Sequence, residues 1–132
     1  MGTIGYLLDT HTLLWVLRGK EKLGACALKA ILDQKSQKFV SAVSAYEIIY
    51  KHKIGKLSEF DDVAKNYFEY LKTLEAIPLP IYDYHAHLAG MFDWQHRDPF
   101  DRLLAAQASL ENLTIITNDS AFETLSWVKA LW

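Results

Sequence analysis

The chain has 132 residues, which is enough for one domain and too few for two domains with separate cores. Hydrophobic residues make up 51% of it and charged residues 23%, as in an ordinary globular protein. The net charge of −2 excludes a general attraction to nucleic acid, so any phosphate-bearing partner needs a local binding site.

Cysteine content and hydropathy restrict where the protein is expected to work. Cys26 is the only cysteine, which excludes an internal disulfide and a cysteine-rich zinc site and favours the reducing cytoplasm. The apolar run over residues 6–17 is interrupted by Asp9 and His11 and has neither a basic leader nor a small-residue cleavage site. We therefore expect no secretion signal, and no apolar stretch reaches the roughly 18 residues that suggest a membrane span.

In the first half of the chain, short apolar runs alternate with helical patterns. Residues 4–8 predict a strand that ends at Asp9, and the apolar residues 13–17 predict a helix directly after it. A second helix is predicted from apolar residues at helical spacing: Ala27, Leu28, Ile31 and Leu32. Residues 38–42 predict a second strand, and the helix that follows should end near Gly55.

The second half continues this alternation. Ser58 is placed to cap one long helix, whose apolar positions are Val63, Tyr67, Leu71 and Leu74. Pro78 and Pro80 mark a short extended segment, a helix is predicted through residues 87–92, and another begins at Asp98 and Pro99. Residues 113–117 give the clearest strand pattern, and residues 128–131 predict a final edge strand.

This order predicts an α/β fold in which a central, mainly parallel sheet is flanked by helices on both faces. The chain has no internal repeat or linker, so residues 1–132 are predicted to form a single domain. Functional sites of such sheets lie beyond the carboxyl ends of the strands. Asp9 and Asp119 each follow a predicted strand at once, so both are expected at that edge.

Candidate site residues are four acids at starts of predicted elements: Asp9, Glu47, Asp101 and Asp119. Each has a structural alternative. Asp9 and Asp119 could cap the helices that follow them, and Glu47 could form a capping box with Ser44. Asp98 is predicted to be the N-cap before Pro99, and Asp101 would then lie in the first helical turn, which the helix dipole favours.

Several carboxylates that converge at one sheet edge repel one another and raise one another's pKa unless a cation lies among them. Mg²⁺ and Mn²⁺ prefer oxygen ligands, and the absence of clustered His or Cys favours them over Zn²⁺. Such ions activate water and neutralise charge on a phosphoryl group. The acids therefore predict a metal-dependent nuclease, which also explains how a net-acidic protein binds phosphate.

Four segments carry a family resemblance: LLDTHTLLW (7–15), SAVSAYE (41–47), RDPFDRLLAAQA (97–108) and IITND (115–119). Together they resemble the PIN domain, in particular toxins of the VapC type, in the order typical of that family and over nearly the whole chain. The resemblance implies a PIN-like three-layer sandwich and Mg²⁺- or Mn²⁺-dependent cleavage of RNA. It also implies a homodimer and inhibition by a small cognate antitoxin.

The resemblance assigns roles residue by residue. The four acids match the catalytic and metal-binding positions of the family, and Thr117 matches a supporting hydroxyl residue. Asp98 is an additional acid, assigned a supporting role, and His11 replaces a small hydroxyl residue. Five basic residues near the acids are either solvated surface or contacts for the RNA backbone: Lys51, Lys53, Lys56, Arg97 and Arg102.

Other classes fit less well. No Gly-x-Ser-x-Gly turn suggests a serine hydrolase, and the scattered glycines form no phosphate-binding loop. A phospho-receiver domain needs an acidic pair after the first strand, where Asp9 stands alone. His85 and His87 point apart on a helix and are predicted to be surface residues. A housekeeping nuclease and an inactive binding module on the same fold stay as alternatives.

Overall fold

The structure is a computed structural model that describes residues 4–132. Its strands are β1 (Gly5–Leu8), β2 (Gln37–Ser41), β3 (Ile77–Leu79), β4 (Thr114–Ile116) and β5 (Ala130–Leu131). Its helices are α1 (Thr10–Leu17), α2 (Ala25–Leu32), α3 (Ala42–Lys53), α4 (Asp61–Lys65), α5 (Tyr67–Leu74), α6 (Asp83–Met91) and α7 (Pro99–Leu110). Short 3₁₀ turns cover Lys20–Lys22, Ser58–Phe60 and Ser120–Thr124. Over the described residues, no helix combines the length and apolarity needed to cross a bilayer.

The five strands form one sheet in the order β3-β2-β1-β4-β5, and every neighbouring pair is parallel. The predicted α/β fold with a parallel central sheet is confirmed. The chain builds β1, β2 and β3 toward one edge and then returns to place β4 on the other side of β1. The switch point therefore lies between β1 and β4, and the crevice beyond their carboxyl ends is the expected location of a site.

Two apolar clusters cover the two faces of the sheet. Alternate strand residues point to opposite faces, so Leu7 packs in the cluster that contains Leu104 of α7, whereas Leu8 packs in the cluster that contains Leu14 of α1. Burial of one such side chain contributes about 1.5–3 kcal/mol. The predicted three-layer arrangement of helix, sheet and helix follows from this alternation.

The start of α3 differs from the prediction. The Ser41 hydroxyl accepts a hydrogen bond from the Val43 backbone N–H at 3.0 Å, so Ser41 ends β2 and also caps α3. The helix consequently begins at Ala42, and Ser44 lies inside it. The capping box between Ser44 and Glu47, the structural alternative for this acid, is therefore not formed, and the Glu47 carboxylate makes other contacts.

The single helix predicted after Ser58 is also wrong, because α4 and α5 are separated at Asn66. The backbone of Asn66 leaves the helical region (φ −124°, ψ 36°), and its side-chain amide donates to the Asp62 carbonyl at 3.0 Å. Side-chain bonds of this kind compete with the helical ladder. Ser58 begins a 3₁₀ turn and makes no side-chain cap.

Candidate functional site

A cleft of about 660 Å³ opens beyond the carboxyl ends of β1 and β4. Its lining includes the four predicted acids and two polar neighbours: Asp9, Glu47, Asp98, Asp101, Asn118 and Asp119. The side chains come from four different parts of the chain. The parallel topology places them together, because β1, β2 and β4 all end at this edge.

Asp9 lies at the centre of the sheet edge and is 7% exposed. One carboxylate oxygen, Oδ1, accepts the Thr12 backbone N–H at 2.8 Å and so caps α1, while Oδ2 accepts a hydrogen bond from the Thr117 hydroxyl. Burial raises the pKa of Asp9, and the hydrogen bonds from Thr117 and Thr12 oppose that rise. Asp9 thus caps α1 and also lines the cleft.

Asp119 is connected to the same threonine. The Asp119 backbone N–H donates to the Thr117 hydroxyl oxygen at 3.0 Å. The Asp119 Oδ1 atom accepts the Ala121 N–H at 3.0 Å and caps the following 3₁₀ turn. As with Asp9, this cap leaves carboxylate lone pairs available toward the cleft.

Glu47 lies on α3 and is 6% exposed. Its Oε2 atom accepts a hydrogen bond from the Lys51 ammonium at 2.5 Å, whereas its buried Oε1 atom has no hydrogen-bond partner within residues 4–132. A buried contact between the Thr10 and Ser44 hydroxyls, at 3.0 Å, joins α1 to α3. This contact keeps the helix of Glu47 beside the helix that Asp9 caps.

Asp101 lies in the first turn of α7, where its Oδ2 atom is 2.6 Å from His96 Nε2. Burial raises the pKa of Asp101 from 3.8 to about 6. The hydrogen bond with His96 opposes this rise, while the charges of Asp98 and Asp9 add to it. The pKa of Asp101 therefore depends on the charges of Asp98 and Asp9.

Asp98 is the N-cap of α7, as predicted, because its Oδ1 atom accepts the Phe100 N–H at 2.9 Å. It also belongs to a tight group in which one potential ligand atom from each of His96, Asp98 and Asp101 lies within 4.8 Å of the others. His96 is a site residue that the sequence analysis missed. His96 lies in the loop before α7, so no helical or strand spacing in the sequence relates it to Asp101.

The five predicted basic contacts separate into different environments. Lys51 and Lys56 line the cleft. Lys53 and Arg97 are exposed and lie outside its lining. All four remain candidate phosphate contacts by charge, with Lys51 and Lys56 the better placed.

Arg102 has a structural role in place of the predicted RNA contact. Its guanidinium donates four hydrogen bonds of 2.6–3.1 Å to the backbone carbonyls of Ala89, Phe92, Trp94 and His96. It also lies 4.4 Å from the centre of the Phe92 ring. Four of the five N–H donors of an arginine are used in this way, so Arg102 organises the loop that leads into α7.

The predicted surface position holds for His87 and is wrong for His85, which is fully buried. The Tyr82 backbone N–H donates to His85 Nδ1 at 3.0 Å, so Nε2 carries the ring proton and faces Glu111 Oε2 at 2.9 Å. Both ring nitrogens are thereby satisfied, and His85 fixes the start of α6. It takes no part in the cleft.

Among residues 4–132, only His96, Asp98 and Asp101 bring three potential ligand atoms within 4.8 Å of one another, and Asp9, Glu47 and Asp119 lie outside that group. The donor set of the cleft nevertheless has the chemistry that a hard divalent cation prefers. Its ligand atoms are mainly carboxylate oxygens, which Mg²⁺ and Mn²⁺ prefer. The buried Glu47 Oε1 atom has no partner among the described residues. An oxygen of this kind is costly without a hydrogen bond or a cation, so the residues present suit such an ion.

Solved structures with the same fold come from several bacteria. One similar structure is VapBC2 from Rickettsia felis bound to a DNA fragment from its promoter. The two chains are 17% identical with a TM-score of 0.66, and the match covers 97% of this chain and 98% of that one. DNA-bound VapBC from Salmonella typhimurium gives 18% identity and a TM-score of 0.67, with 97% of each chain covered. A toxin–antitoxin complex from Klebsiella pneumoniae has 19% sequence identity and a TM-score of 0.67, and the match covers 93% of this chain and 94% of that one.

At these identities the likeness establishes the fold. A search of curated proteins finds no match. The sequence does match the PIN domain family over residues 6–128, which includes every acid of the cleft. The chain therefore belongs to the PIN domain family, a family of nucleases.

Proposed function

We propose that this protein is a Mg²⁺- or Mn²⁺-dependent endoribonuclease that acts as the toxin of a toxin–antitoxin pair. The observation that carries the proposal is the convergence of Asp9, Glu47, Asp101 and Asp119 on one cleft, with a buried Glu47 oxygen that has no partner among residues 4–132. Membership of a nuclease family supports the same chemistry.

Each side chain of the cleft has a defined task in this proposal. The four acids hold the metal, which when bound would neutralise charge on the phosphoryl group and activate water. Thr117 orients the Asp9 carboxylate and holds the backbone of Asp119, and His96 orients the Asp101 carboxylate. Lys51 and Lys56 bind the phosphate backbone of the RNA at the cleft wall.

The toxin assignment draws on the similar structures, which include VapBC proteins and a toxin–antitoxin complex. By the same likeness we propose a small cognate antitoxin, a homodimer, and action in the cytoplasm. Residues 1–132 form one PIN domain in this proposal. A housekeeping nuclease and an inactive binding module are the alternatives.

The nuclease is tested by incubating the purified protein with a pool of structured RNAs and Mg²⁺ or Mn²⁺, with and without EDTA. We expect cleavage only with free metal. Asp9→Asn, Glu47→Gln and Asp119→Asn should each lower the rate by several orders of magnitude, whereas the exposed control His87→Ala should retain it. Cleavage that persists in EDTA would contradict the metal mechanism, and no cleavage under any condition would favour the binding module.

The toxin is tested in bacteria. Expression of the chain alone should arrest growth, and Asp9→Asn should relieve the arrest because it removes a central carboxylate of the cleft. Normal growth during expression of an active enzyme would point to a housekeeping nuclease.

A further inference from the structure

Glu47 and Lys51 form an ion pair that the proposed chemistry leaves unexplained. Lys51 follows Glu47 by one helical turn, and its Nζ atom lies 2.5 Å from Glu47 Oε2. The Glu47 side chain is 8% exposed, while that of Lys51 is 37% exposed and reaches the cleft. Within residues 4–132, no other Lys or Arg lies within 4.0 Å of a cleft carboxylate.

A buried carboxylate needs a counter-charge, because water no longer solvates it. Lys51 supplies that charge to Oε2, while Oε1 stays without a partner among the described residues. One oxygen of the Glu47 carboxylate is thus paired with Lys51, and the other has no partner among the described residues.

We infer that Lys51 is the resident counter-ion of Glu47 in the metal-free protein, and that a divalent cation binds the cleft by displacing the Lys51 ammonium from Glu47. The inference rests on the proposed function, since it concerns the metal of that site. Lys51 and the metal would then compete for one carboxylate.

Charge repulsion is the reason why we expect the metal to displace Lys51 from Glu47, and not to share the carboxylate with it. An ammonium and a divalent ion on the two oxygens of one carboxylate would lie only a few ångströms apart, where repulsion is strong at the low effective dielectric of a cleft. The lysine stem is flexible and the ammonium is readily hydrated. Since Lys51 is partly exposed, its ammonium can move away from Glu47 into the open cleft.

This competition has a consequence for RNA binding. Metal uptake would release an ammonium into the cleft, where it can contact a phosphate. By thermodynamic reciprocity, a phosphate that holds Lys51 away from Glu47 would in turn tighten metal binding. The ion pair would therefore keep metal affinity low until RNA is present.

Lys56 provides a matched control within the same cleft. It carries the same charge and lines the same cavity. Among residues 4–132 it forms no ion pair with an acid of the cleft. Removing its charge changes the general field of the cleft and leaves Glu47 Oε2 occupied.

The test is calorimetric titration of the metal-free protein with Mn²⁺ at constant ionic strength and a pH well above the Asp101 pKa of about 6. Compared with the parent, Lys51→Met should bind Mn²⁺ on the order of tenfold more tightly, because a competing contact charge is gone. Lys56→Met should change the affinity by no more than about threefold, since its charge acts only at longer range. Lys51→Arg keeps the charge and should stay near the parent.

Thermal unfolding gives a second readout that does not depend on activity. Lys51→Met should melt lower than the parent without metal, since Glu47 loses its counter-charge, and its Tm should rise further on addition of Mn²⁺. Far-UV circular dichroism establishes that the variants are folded.

The outcomes separate the inference from the proposed function. If the parent binds Mn²⁺, Glu47→Gln abolishes that binding, and Lys51→Met binds no more tightly than Lys56→Met, the inference is wrong and the metal site stands. Weaker binding in Lys51→Met also overturns displacement, since Lys51 would then support the ion. If neither the parent nor Lys51→Met binds Mn²⁺, the proposed metal site fails, and the inference fails with it.

Discussion

The Thr117 hydroxyl donates a hydrogen bond to the Asp9 carboxylate, although 108 positions separate the two residues in the chain. The same oxygen accepts the backbone N–H of Asp119. One threonine after β4 therefore connects the acid that follows β1 with the acid that follows β4, across the switch point of the sheet.

Thr117→Val preserves the shape of this buried side chain and removes both hydrogen bonds. The Asp9 carboxylate and the Asp119 N–H each lose a partner, so we expect the free energy of unfolding to fall by about 1–3 kcal/mol. The cleavage rate should also fall, because Asp9 and Asp119 are no longer held together. Urea unfolding and RNA cleavage measure the two effects, and Thr117→Ser should restore both.

Thr12→Val is the matched control. Thr12 is equally buried and also contacts Asp9, but through its backbone N–H, and its hydroxyl has no partner among the described residues. Replacing an unsatisfied hydroxyl with a methyl group should leave stability unchanged or raise it slightly. Equal losses in Thr117→Val and Thr12→Val would show that the hydroxyl contact of Thr117 is unimportant.

The pKa of Asp101 predicts how stability depends on pH. Because that pKa is raised from 3.8 to about 6 by burial, the folded, metal-free protein binds this proton more tightly than the unfolded chain does. The free energy of unfolding should therefore fall as the pH rises from about 4 to about 6. Asp101→Asn removes this loss and should be the more stable form above that window, by at most roughly 3 kcal/mol.

Urea unfolding of the metal-free parent and of Asp101→Asn across this pH range measures the effect. The difference between the two should become small toward about pH 4 and disappear well below the unfolded-state pKa of 3.8, where Asp101 of the parent is protonated in both states. A constant difference across the range would show that the proton is held by another group.

Asp98 and Asp101 should respond differently to the same substitution. Asp98 caps α7 through Oδ1, and an asparagine oxygen performs that task about as well. Asp98→Asn should keep its stability and most of its activity, while Asp98→Ala should lose roughly 1 kcal/mol of stability. Asp101→Asn should lose cleavage, because a neutral amide is a poor ligand for Mg²⁺.

Rates and metal-free melting temperatures of the three variants decide between these roles. If Asp98→Asn is as inactive as Asp101→Asn, then Asp98 is a fifth functional acid, as its proximity to His96 and Asp101 would allow.

Substitutions of Arg102 and Arg97 should affect stability differently, because Arg102 contacts the backbone and Arg97 is exposed. Arg102→Ala leaves four backbone carbonyls, one in α6 and three between α6 and α7, without their donor, so we expect it to lower the free energy of unfolding by at least about 2 kcal/mol. Arg102→Lys should rescue it only partly, since an ammonium cannot reproduce the planar fork.

Arg97→Ala is the control, because Arg97 is exposed. It should change stability by no more than about 0.5 kcal/mol, and any effect should be on RNA binding. Chemical denaturation and RNA affinity of the variants test both statements. Equal stability of Arg102→Ala and the parent would contradict the structural role.

Local features of the fold were predictable where neighbouring residues determine them. The apolar run that becomes β4 and the cap formed by Asp98 before Pro99 depend on a few adjacent residues. The start of α3 was misplaced, because Ser41 and Ser44 are both good capping residues and only the end of β2 selects Ser41. The break at Asn66 was not predictable from the apolar pattern, because the helical spacing of apolar residues continues through that position.

The sequence by itself determined that strands alternate with helices and that acids follow β1 and β4, because hydrophobic periodicity and turn chemistry are short-range properties. Only the tertiary structure decided which polar groups lose their water. In the folded protein, Lys51 is the counter-charge of the buried Glu47, Arg102 donates to backbone carbonyls, and His85 is fully buried. The partner and the pKa of a side chain depend on the segments packed around it, and those segments are distant in the chain.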